Sequence, residues 1–406
     1  MSQNKEKLWK NEHWWTSPYD YVEEVRKNFQ FATPIELHDV TLRDGEQTPG
    51  VVFSREDKLQ IAQKLDEARV HRIEAGMPVV SEEDRLAIKD IVKGTSHSKI
   101  FAFCRARKPD VDAALSCDVS SIIIEIPVLK ERLEVMGTEV HKASADAIQV
   151  IEYAKAHGMF VVFFPYDTTR ADLESIRTMM KAGESARADR LAVVDTMSAA
   201  SPDGFSYLVS KVREMVKVPL EVHCHNSLSL GVANTIAGLS DGAKAAHVSV
   251  NGIGESAGNV ALEEVVLSLL LLYGIDCGID LEKLQEASNL VSKLSNIPIP
   301  VNKPVLGRNI FRRESGIAVE RYYKMPELAR QLELFDPSWF AGETEIVLGK
   351  KSGKYSILYH LRKKGIEASD EQTNEMLAKV KQLSMDKKNL LTDEEFNQIV
   401  RSVMKT

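Results

Sequence analysis

The sequence predicts an α/β protein, a (β/α)₈ barrel or TIM barrel that is followed by a helical C-terminal subdomain. Eight short apolar runs alternate with segments of 3.6-residue periodicity across residues 34–280, and this alternation is typical of such a barrel. After residue 280 only helix-like segments follow. An open doubly wound sheet is the structural alternative. Its first strand usually leads into a glycine-rich turn, whereas the first run here leads into Arg43-Asp44.

The predicted elements divide the chain into an N-terminal arm (1–33), a barrel (34–280) and a helical subdomain (281–406). The eight predicted strands are Ile35–Val40, Arg72–Ala75, Ile100–Phe103, Ser121–Pro127, Phe160–Phe164, Leu191–Asp195, Leu220–His223 and His247–Val250. The predicted helices between and after them include Arg55–Ala68, Glu82–Val92, Ala143–Ala156, Ala171–Ala186, Gly204–Val216, Gly231–Ala237 and Ala261–Leu272. The subdomain adds Leu281–Ser295, Gly353–Lys364, Gln372–Met385 and Thr392–Met404, the last with the spacing of a capping box.

Composition is that of an ordinary globular protein. The chain has 406 residues, of which 44% are hydrophobic and 27% charged, and its net charge of -7 does not indicate a nucleic-acid or membrane-surface partner. The four cysteines are scattered, which favours free thiols in a reducing compartment. The N-terminal segment is polar, and the longest apolar run is too short to span a bilayer. We therefore expect a cytoplasmic protein with no nucleic-acid and no membrane partner.

Polar residues cluster at the ends of the predicted strands, where barrels carry their functional groups. These positions are Arg43-Asp44, Glu74, Glu125, Tyr166-Asp167, Asp195-Thr196, His223-Cys224-His225 and Asn251–Asn259. A cation and a carboxylate directly after a buried strand need a partner or a metal. A solvated surface ion pair is the simpler alternative for Arg43 and Asp44.

His223 and His225 can coordinate one ion together, because side chains two residues apart in a strand lie on the same face. Cys224 then faces the opposite wall. Structural histidines are the alternative, since this spacing alone is a weak signal. Together with Asp44 the pair makes a mixed oxygen and nitrogen set, which suits a divalent cation such as Mg, Mn or Zn. Such an ion would hold a 2-oxo acid and polarise its keto group, with Arg43 stabilising the alkoxide.

Four motifs together resemble the DRE-TIM metallolyase superfamily, and most closely its isopropylmalate, homocitrate, citramalate and Re-citrate synthases. The motifs are Asp39-Val-Thr-Leu-Arg-Asp-Gly-Glu-Gln47, His223-Cys-His-Asn226, Asn251-Gly-Ile-Gly-Glu-Ser-Ala-Gly-Asn259 and Leu348-Gly-Lys-Lys-Ser-Gly353. The resemblance implies a TIM barrel and a divalent metal held by Asp44, His223, His225 and Asn259. It further implies that Arg43 is catalytic and that Gln47, Glu74 and Thr196 bind substrate.

Four positions depart from the pattern of these synthases. Ala318 and Tyr166 stand where they usually carry a His and a Glu for acid–base chemistry, and Ser227 and Ser256 replace an Asp and an Arg. Tyr166 is the catalytic candidate at its position, but its pKa would have to fall substantially before it could accept a proton. The other candidates for a replacement base are Asp167, Tyr322 and Tyr323.

The resulting expectation is an acyltransferase that condenses an acyl-CoA, acetyl-CoA first among them, with a 2-oxo acid to give a 2-hydroxy di- or tricarboxylate. A carbon–carbon lyase on the same metal site is the first alternative, and a non-catalytic sensor of oxo acids is the second. The resemblance also implies a homodimer.

Overall fold

Eight parallel strands close into a barrel in the computed structural model, which describes residues 8–340 and 342–405. The strands pair in chain order and β1 closes the barrel against β8. They are β1 (Glu36–Asp39), β2 (Arg72–Glu74), β3 (Lys99–Arg105), β4 (Ser121–Pro127), β5 (Phe160–Tyr166), β6 (Arg190–Asp195), β7 (Leu220–Cys224) and β8 (Ala245–Val248). The predicted (β/α)₈ barrel is therefore confirmed, and the open doubly wound sheet is wrong.

Helices follow the strands as the periodicity predicts. They are α1 (Glu23–Arg26), α2 (Arg55–Glu67), α3 (Glu82–Gly94), α4 (Lys108–Leu115), α5 (Lys130–Val135), α6 (Val140–Ala156), α7 (Leu173–Ser185), α8 (Pro202–Met215), α9 (Gly231–Ser240), α10 (Leu262–Tyr273) and α11 (Leu281–Ser295). Several helices begin at a side chain that caps their first turn. At the start of α2, for example, the Ser54 hydroxyl accepts a hydrogen bond from the backbone N–H of Asp57 in a capping box. None of the helices in the described part of the chain has the length and apolarity that crossing a bilayer requires.

Side chains of the strands alternate between the helix layer and the barrel axis. In β4, for instance, Ile122 and Ile124 belong to the core beneath the helices, whereas Ile123 belongs to the apolar interior of the barrel. That interior layer consists of Phe101, Phe103, Ile123, Val162, Phe164, Ala192 and Val194. The two-residue period carries the same alternation to the mouth of the barrel, where Glu125 and Tyr166 continue the inward-facing rows of β4 and β5.

Charged side chains fill the opposite part of the interior. The Arg72 guanidinium donates to Glu221 and to Glu36, and the Nε2 atom of His247 lies 3.1 Å from Oε2 of Glu221. The ring of His38 stacks on that of His247 with 4.4 Å between centroids. The buried charges are thus paired, which is the condition under which burial is tolerated.

By compactness the described chain forms two units, one of which spans Tyr19–Ile299 and holds the barrel. Helix α11 belongs to this unit, since the backbone N–H of Asp280 donates to the carbonyl of Ala68 at 3.0 Å. The predicted domain limits 1–33, 34–280 and 281–406 stay predictions.

The second unit contains the described residues before 19 and after 299. It is helical, with α12 (Gly316–Lys324), α13 (Pro326–Gln331), α14 (Lys354–Lys363), α15 (Asp370–Lys387), α16 (Asp393–Met404) and two short strands, β9 (Arg312–Arg313) and β10 (Glu345–Ile346). The predicted capping box is present, because Thr392 and Glu395 exchange hydrogen bonds of 2.7 and 3.2 Å. The ring of Trp14 packs edge-on against that of Trp339 at 5.7 Å. The expected helical C-terminal subdomain is confirmed.

Replacing Gly183 by alanine should destabilise the barrel unit. An added Cβ at Gly183 would lie 2.6 Å from Leu191 and from Phe163, so α7 would have to move away from the strands. Overpacking of this kind costs about 1–3 kcal/mol, which outweighs the roughly 1 kcal/mol by which alanine favours a helix. Calorimetric unfolding should show a lower Tm for Gly183→Ala.

The matched control is Gly204→Ala, at an exposed helical glycine where the nearest atom to an added Cβ is the Ser201 hydroxyl at 3.4 Å. This variant should unfold at or above the Tm of the unchanged protein. Equal Tm values for the two variants would show that α7 is not packed on the barrel as closely as described.

Candidate active site

The turn after β1 carries Arg43 and Asp44 to the mouth of the barrel. The Asp39 carboxylate accepts hydrogen bonds from the backbone N–H and the hydroxyl of Thr41, both at 2.9 Å. The Thr41 hydroxyl oxygen in turn accepts from the backbone N–H of Val250, at 2.8 Å. These bonds tie the end of the first strand to the segment after the last. They hold the turn in place before the short 3₁₀ helix Gly45–Gln47 begins.

Asp44, His223 and His225 meet at this mouth, as their order along the strands predicts. The Nε2 atoms of His223 and His225 lie 3.6 and 3.5 Å from Oδ2 of Asp44, and all three side chains are buried. Cys224 lies in the core beneath the helices, so the predicted opposite orientation is confirmed. Ligand atoms of the three residues lie within 4.8 Å of one another, an arrangement that can hold a metal ion.

Asn259 fits the same set of ligands. Its Nδ2 atom donates to the carbonyl of Ile253 at 3.2 Å, whereas its buried Oδ1 has no hydrogen-bond partner among the described residues. A bridge between the backbones of His225 and Asn259 holds the two residues next to each other. A buried acceptor without a partner is rare, and an amide oxygen beside a carboxylate and two imidazoles completes a set that hard and borderline cations accept. The residues present therefore fit a divalent ion.

The electrostatics of the group favour the protonation states that metal binding needs. Burial acts to raise the pKa of Asp44, but Arg43 and the two histidines together hold it well below its usual value. Burial, reinforced by His225, lowers the pKa of His223 well below its ordinary range. Asp44 is therefore a carboxylate and His223 a neutral imidazole at neutral pH.

Arg43 is held on three sides. Its Nε donates to Glu74, its Nη1 donates to Asp44 at 3.0 Å and to Gln47 at 3.5 Å, and its guanidinium lies 4.0 Å from the ring centre of Phe103. Its Nη2 is buried and has no hydrogen-bond partner among the residues described. A fixed cation therefore presents spare N–H donors at the mouth of the barrel.

Glu74 is fully buried, and its carboxylate is engaged by Arg43 and lies 3.3 Å from Nε2 of His38. Burial opposes its ionisation, yet Arg43 and His38 keep its pKa below the usual value. The structure thus places Glu74 where it fixes Arg43. The role in substrate binding that the resemblance implies for Glu74 stays a prediction.

Thr196 directly follows β6, and Tyr166 is the last residue of β5. The Thr196 hydroxyl oxygen accepts from the backbone N–H of Asp167 at 2.8 Å, which leaves its own proton to donate. Burial and the neighbouring Glu125 raise the pKa of Tyr166. The fall in pKa that a tyrosine base would require is therefore not found.

A second group, His38, Glu221 and His247, also offers buried ligand atoms within 4.8 Å of one another. Sequence reasoning missed it, although charged residues inside otherwise apolar strand runs were a signal. Glu221 is already neutralised by Arg72, and burial together with His247 lowers the pKa of His38 to about 4. We therefore assign this group to the paired interior of the barrel, and the group at the mouth is the candidate metal centre.

Two family models match the chain. Residues 34–291 match the HMGL-like family, and residues 305–388 match the family described as homocitrate synthase post-HMGL domain-like. Together they cover the barrel and much of the helical unit.

Curated relatives match over nearly the whole chain. A homocitrate synthase of Methanothermobacter thermautotrophicus is 40% identical over 394 residues, covering 96% of this chain and 98% of the relative. An (R)-citramalate synthase of Methanocaldococcus jannaschii is 41% identical over 373 residues, covering 91% and 74%. Among solved structures, the hydroxymethylglutaryl-CoA lyase of Pseudomonas aeruginosa has a TM-score of 0.59 at 20% identity, covering 69% of this chain and 97% of that chain. At that identity the similarity shows a shared fold.

Replacing Asp44 by asparagine should impair uptake of Mn²⁺. The amide removes the charge on which both imidazoles converge, so the loss of affinity should exceed the roughly 10- to 100-fold typical of outer-sphere partners. Titration of the metal-free protein followed by calorimetry or by the Mn²⁺ resonance signal measures it.

His97→Ala, at an exposed histidine, is the control and should bind Mn²⁺ like the unchanged protein. If Asp44→Asn bound Mn²⁺ with unaltered affinity, the ion would have to bind at another site.

Proposed function

This chain belongs to the HMGL-like family, and we propose that it condenses an acyl-CoA, acetyl-CoA first among them, with a 2-oxo acid to give a 2-hydroxy di- or tricarboxylate. The resemblance inferred from the motifs is confirmed at the level of the family. The named relatives are homocitrate, citramalate and isopropylmalate synthases, and they match this chain across both its barrel and its helical unit. The homocitrate synthase post-HMGL region at 305–388 favours a synthase over a lyase, because a lyase structure covers only 69% of the chain.

Asp44, His223, His225 and Asn259 are the residues that would hold the divalent cation. Three of them supply ligand atoms within 4.8 Å of one another, and the fourth has a buried oxygen without a partner among the described residues. A divalent ion in this set supplies Lewis acidity to a bound keto group. Mg, Mn and Zn all accept this mixture of donors.

The observation that carries the proposal is the spare Nη2 of Arg43 beside this ligand set. Condensation turns the keto oxygen of the oxo acid into an alkoxide, and the developing negative charge needs preorganised donors. Arg43 is already fixed by Glu74 and Asp44, so its N–H groups need no reorganisation when the charge forms. We assign Arg43 to this stabilising role.

The remaining site residues position the substrate. Thr196 has a hydroxyl proton free to donate to the carboxylate of the oxo acid, and the exposed Gln47 lies 3.5 Å from Arg43 at the same mouth. Glu74 acts through Arg43. Tyr166, whose raised pKa keeps it a neutral phenol, serves as a hydrogen-bond donor.

A homodimer is part of the proposal. The second unit exposes several large apolar side chains on and after α12 and α13, namely Ile317, Met325, Leu328, Leu332 and Leu334. Exposed apolar side chains grouped in this way are typical of an interface. A mass of one chain in light scattering would rule the dimer out.

Acetyl-CoA with Mn²⁺ should release free CoA thiol when supplied with at least one of oxaloacetate, 2-oxoglutarate, pyruvate or 2-oxoisovalerate. Removal of the divalent ion with EDTA should abolish the release, and adding Mn²⁺ back should restore it. A thiol reagent follows the reaction continuously. No release with any of the four acids would contradict the proposed condensation.

Arg43→Lys should lower kcat by about 100- to 1,000-fold, the usual effect of removing one donor to a developing oxyanion. A lysine keeps the charge but loses the fork that now contacts Glu74 and Asp44 together. The control is Arg55→Lys, at a half-exposed arginine that lines the same cavity as Arg43. It should leave kcat within about twofold of the value for the unchanged protein. Equal rates for the two variants would remove Arg43 from the mechanism.

A further inference from the structure

The condensation requires a base, because the carbon next to the thioester must lose a proton before it can attack the keto carbon. Tyr166 does not meet this need, since its pKa is raised. Tyr322 does not meet it either, because burial and its bond to Glu333 raise its pKa to about 12. A carboxylate or an imidazole that is not otherwise engaged is a better candidate, because its ordinary pKa lies below that of a tyrosine.

Nearly all acids at the strand ends around the mouth are engaged. Asp44 belongs to the ligand set, and Glu74 is held by Arg43. Asp167 accepts from Arg132 at 2.5 Å and also from Arg170. Asp195 accepts from the Thr169 hydroxyl at 2.7 Å, from the backbone N–H of Ala199 at 2.9 Å and from Asn234 at 3.2 Å.

Glu125 is different. It lies near the end of β4 in the inward-facing row, two residues after Ile123 of the barrel interior. Its side chain is partly buried, and it makes no hydrogen bond and no ion pair within 4.0 Å with the other described residues. The Glu125 carboxyl group is therefore open to a ligand at the mouth of the barrel.

We propose that Glu125 is the general base that takes the proton from the carbon next to the thioester in the condensation proposed above, on which this inference rests. Glu125 and Tyr166 line the same cavity of about 710 Å³. Basic side chains, namely Arg105, Arg107, Lys108 and Lys142, line it too. Such a cavity admits a thioester whose carrier bears phosphates and delivers its acyl group to Glu125.

The groups around Glu125 suit it to this task. Burial raises its pKa to about 7, Glu74 and Asp44 act in the same direction, and Arg43 and Arg105 oppose them. Near neutral pH the group can therefore take a proton and return it. A cation in the ligand set would move this pKa downward, since positive charge favours the carboxylate.

The step balances within the site. The C–H bond of the acyl methyl breaks and an O–H bond forms on Glu125. The C–H electron pair becomes the C=C bond of an enolate, and the thioester π pair moves to its oxygen. The enolate carbon then bonds to the keto carbon, whose own π pair becomes the alkoxide beside Arg43. The alkoxide takes up a proton, which Glu125 returns directly or through water, and becomes the hydroxyl group. Water then adds to the thioester carbonyl, the C–S bond breaks, and the thiolate leaves as the thiol with a proton from that water.

Glu125→Gln tests the assignment with acetyl-CoA, Mn²⁺ and the four oxo acids. Thiol release should fall by about 100- to 10,000-fold, the range of general base catalysis, while Mn²⁺ uptake stays unchanged. Glu152→Gln, at an exposed carboxylate of α6 outside the cavity that Glu125 lines, should leave the rate unchanged. Acetyl-CoA deuterated in its methyl group should show a larger isotope effect in Glu125→Gln, because proton removal becomes slower than the later steps.

The pH profile gives a second measurement that a structural role would not produce. A base works only when deprotonated, so kcat/KM of the unchanged protein should fall tenfold per pH unit below the pKa of Glu125, at or below about pH 7. Glu125→Asp should keep this limb at a reduced rate, and Glu125→Gln should lose it. If Glu125→Gln fails to fold, loss of the limb in Glu125→Asp would overturn the assignment.

The outcomes separate the two proposals. Thiol release by the unchanged protein and by Glu125→Gln at rates within about threefold would overturn the role of Glu125 alone, since a general base contributes far more than that. No release by the unchanged protein would overturn the condensation and this inference with it.

Discussion

The buried guanidinium of Arg43, fixed between Glu74 and Asp44, is the interaction on which the site depends. Removing such a cation from water is expensive, and two carboxylates with the face of Phe103 4.0 Å away offset that cost. The arrangement requires a strand end and a turn from separate parts of the chain. Because each carboxylate comes from a different element, neither β1 nor β2 can shift without exposing an unbalanced charge. The position of Asp44, and with it the ligand set, follows from this constraint.

The barrel interior changes character along its axis. In the part that holds Arg72, charges are matched with one another, as in the contacts of Arg72 with Glu36 and Glu221. An apolar layer of aromatic and branched side chains lies among the strands. At the mouth, several polar atoms are buried without a hydrogen-bond partner among the described residues, namely Nη2 of Arg43, Oε2 of Glu74, Nδ1 of His223 and Oδ1 of Asn259. Buried polar groups are normally satisfied within a protein. Other unpartnered atoms belong to His38 and His247 in the charged interior, whereas those at the mouth lie on or next to the ligand set, where a bound substrate would meet them.

The fold and the meeting of Asp44, His223 and His225 could be predicted from the sequence, because periodicity predicts the strands and a barrel gathers their ends at one mouth. Asn259 entered the predicted ligand set only through the resemblance of its motif. Alternation of apolar runs with helical segments predicted the eight strands, and the two-residue period placed His223 and His225 on one side. The short helices α4 and α5 went unpredicted because eight and six residues are too few to show a period. The partner of Glu74 and the isolation of Glu125 could not be predicted either. Both depend on contacts with side chains from other strands. A local sequence pattern does not show which of those side chains already have a partner.

The closure of β1 against β8 has a consequence for how this chain could be divided. A cut between β4 and β5 would leave Asp44 on one half-barrel and His223, His225 and Asn259 on the other, so neither fragment would carry the complete ligand set. An ion bound by the reassembled halves would favour their association by mass action. A divalent cation in this set would then link the two halves of the barrel.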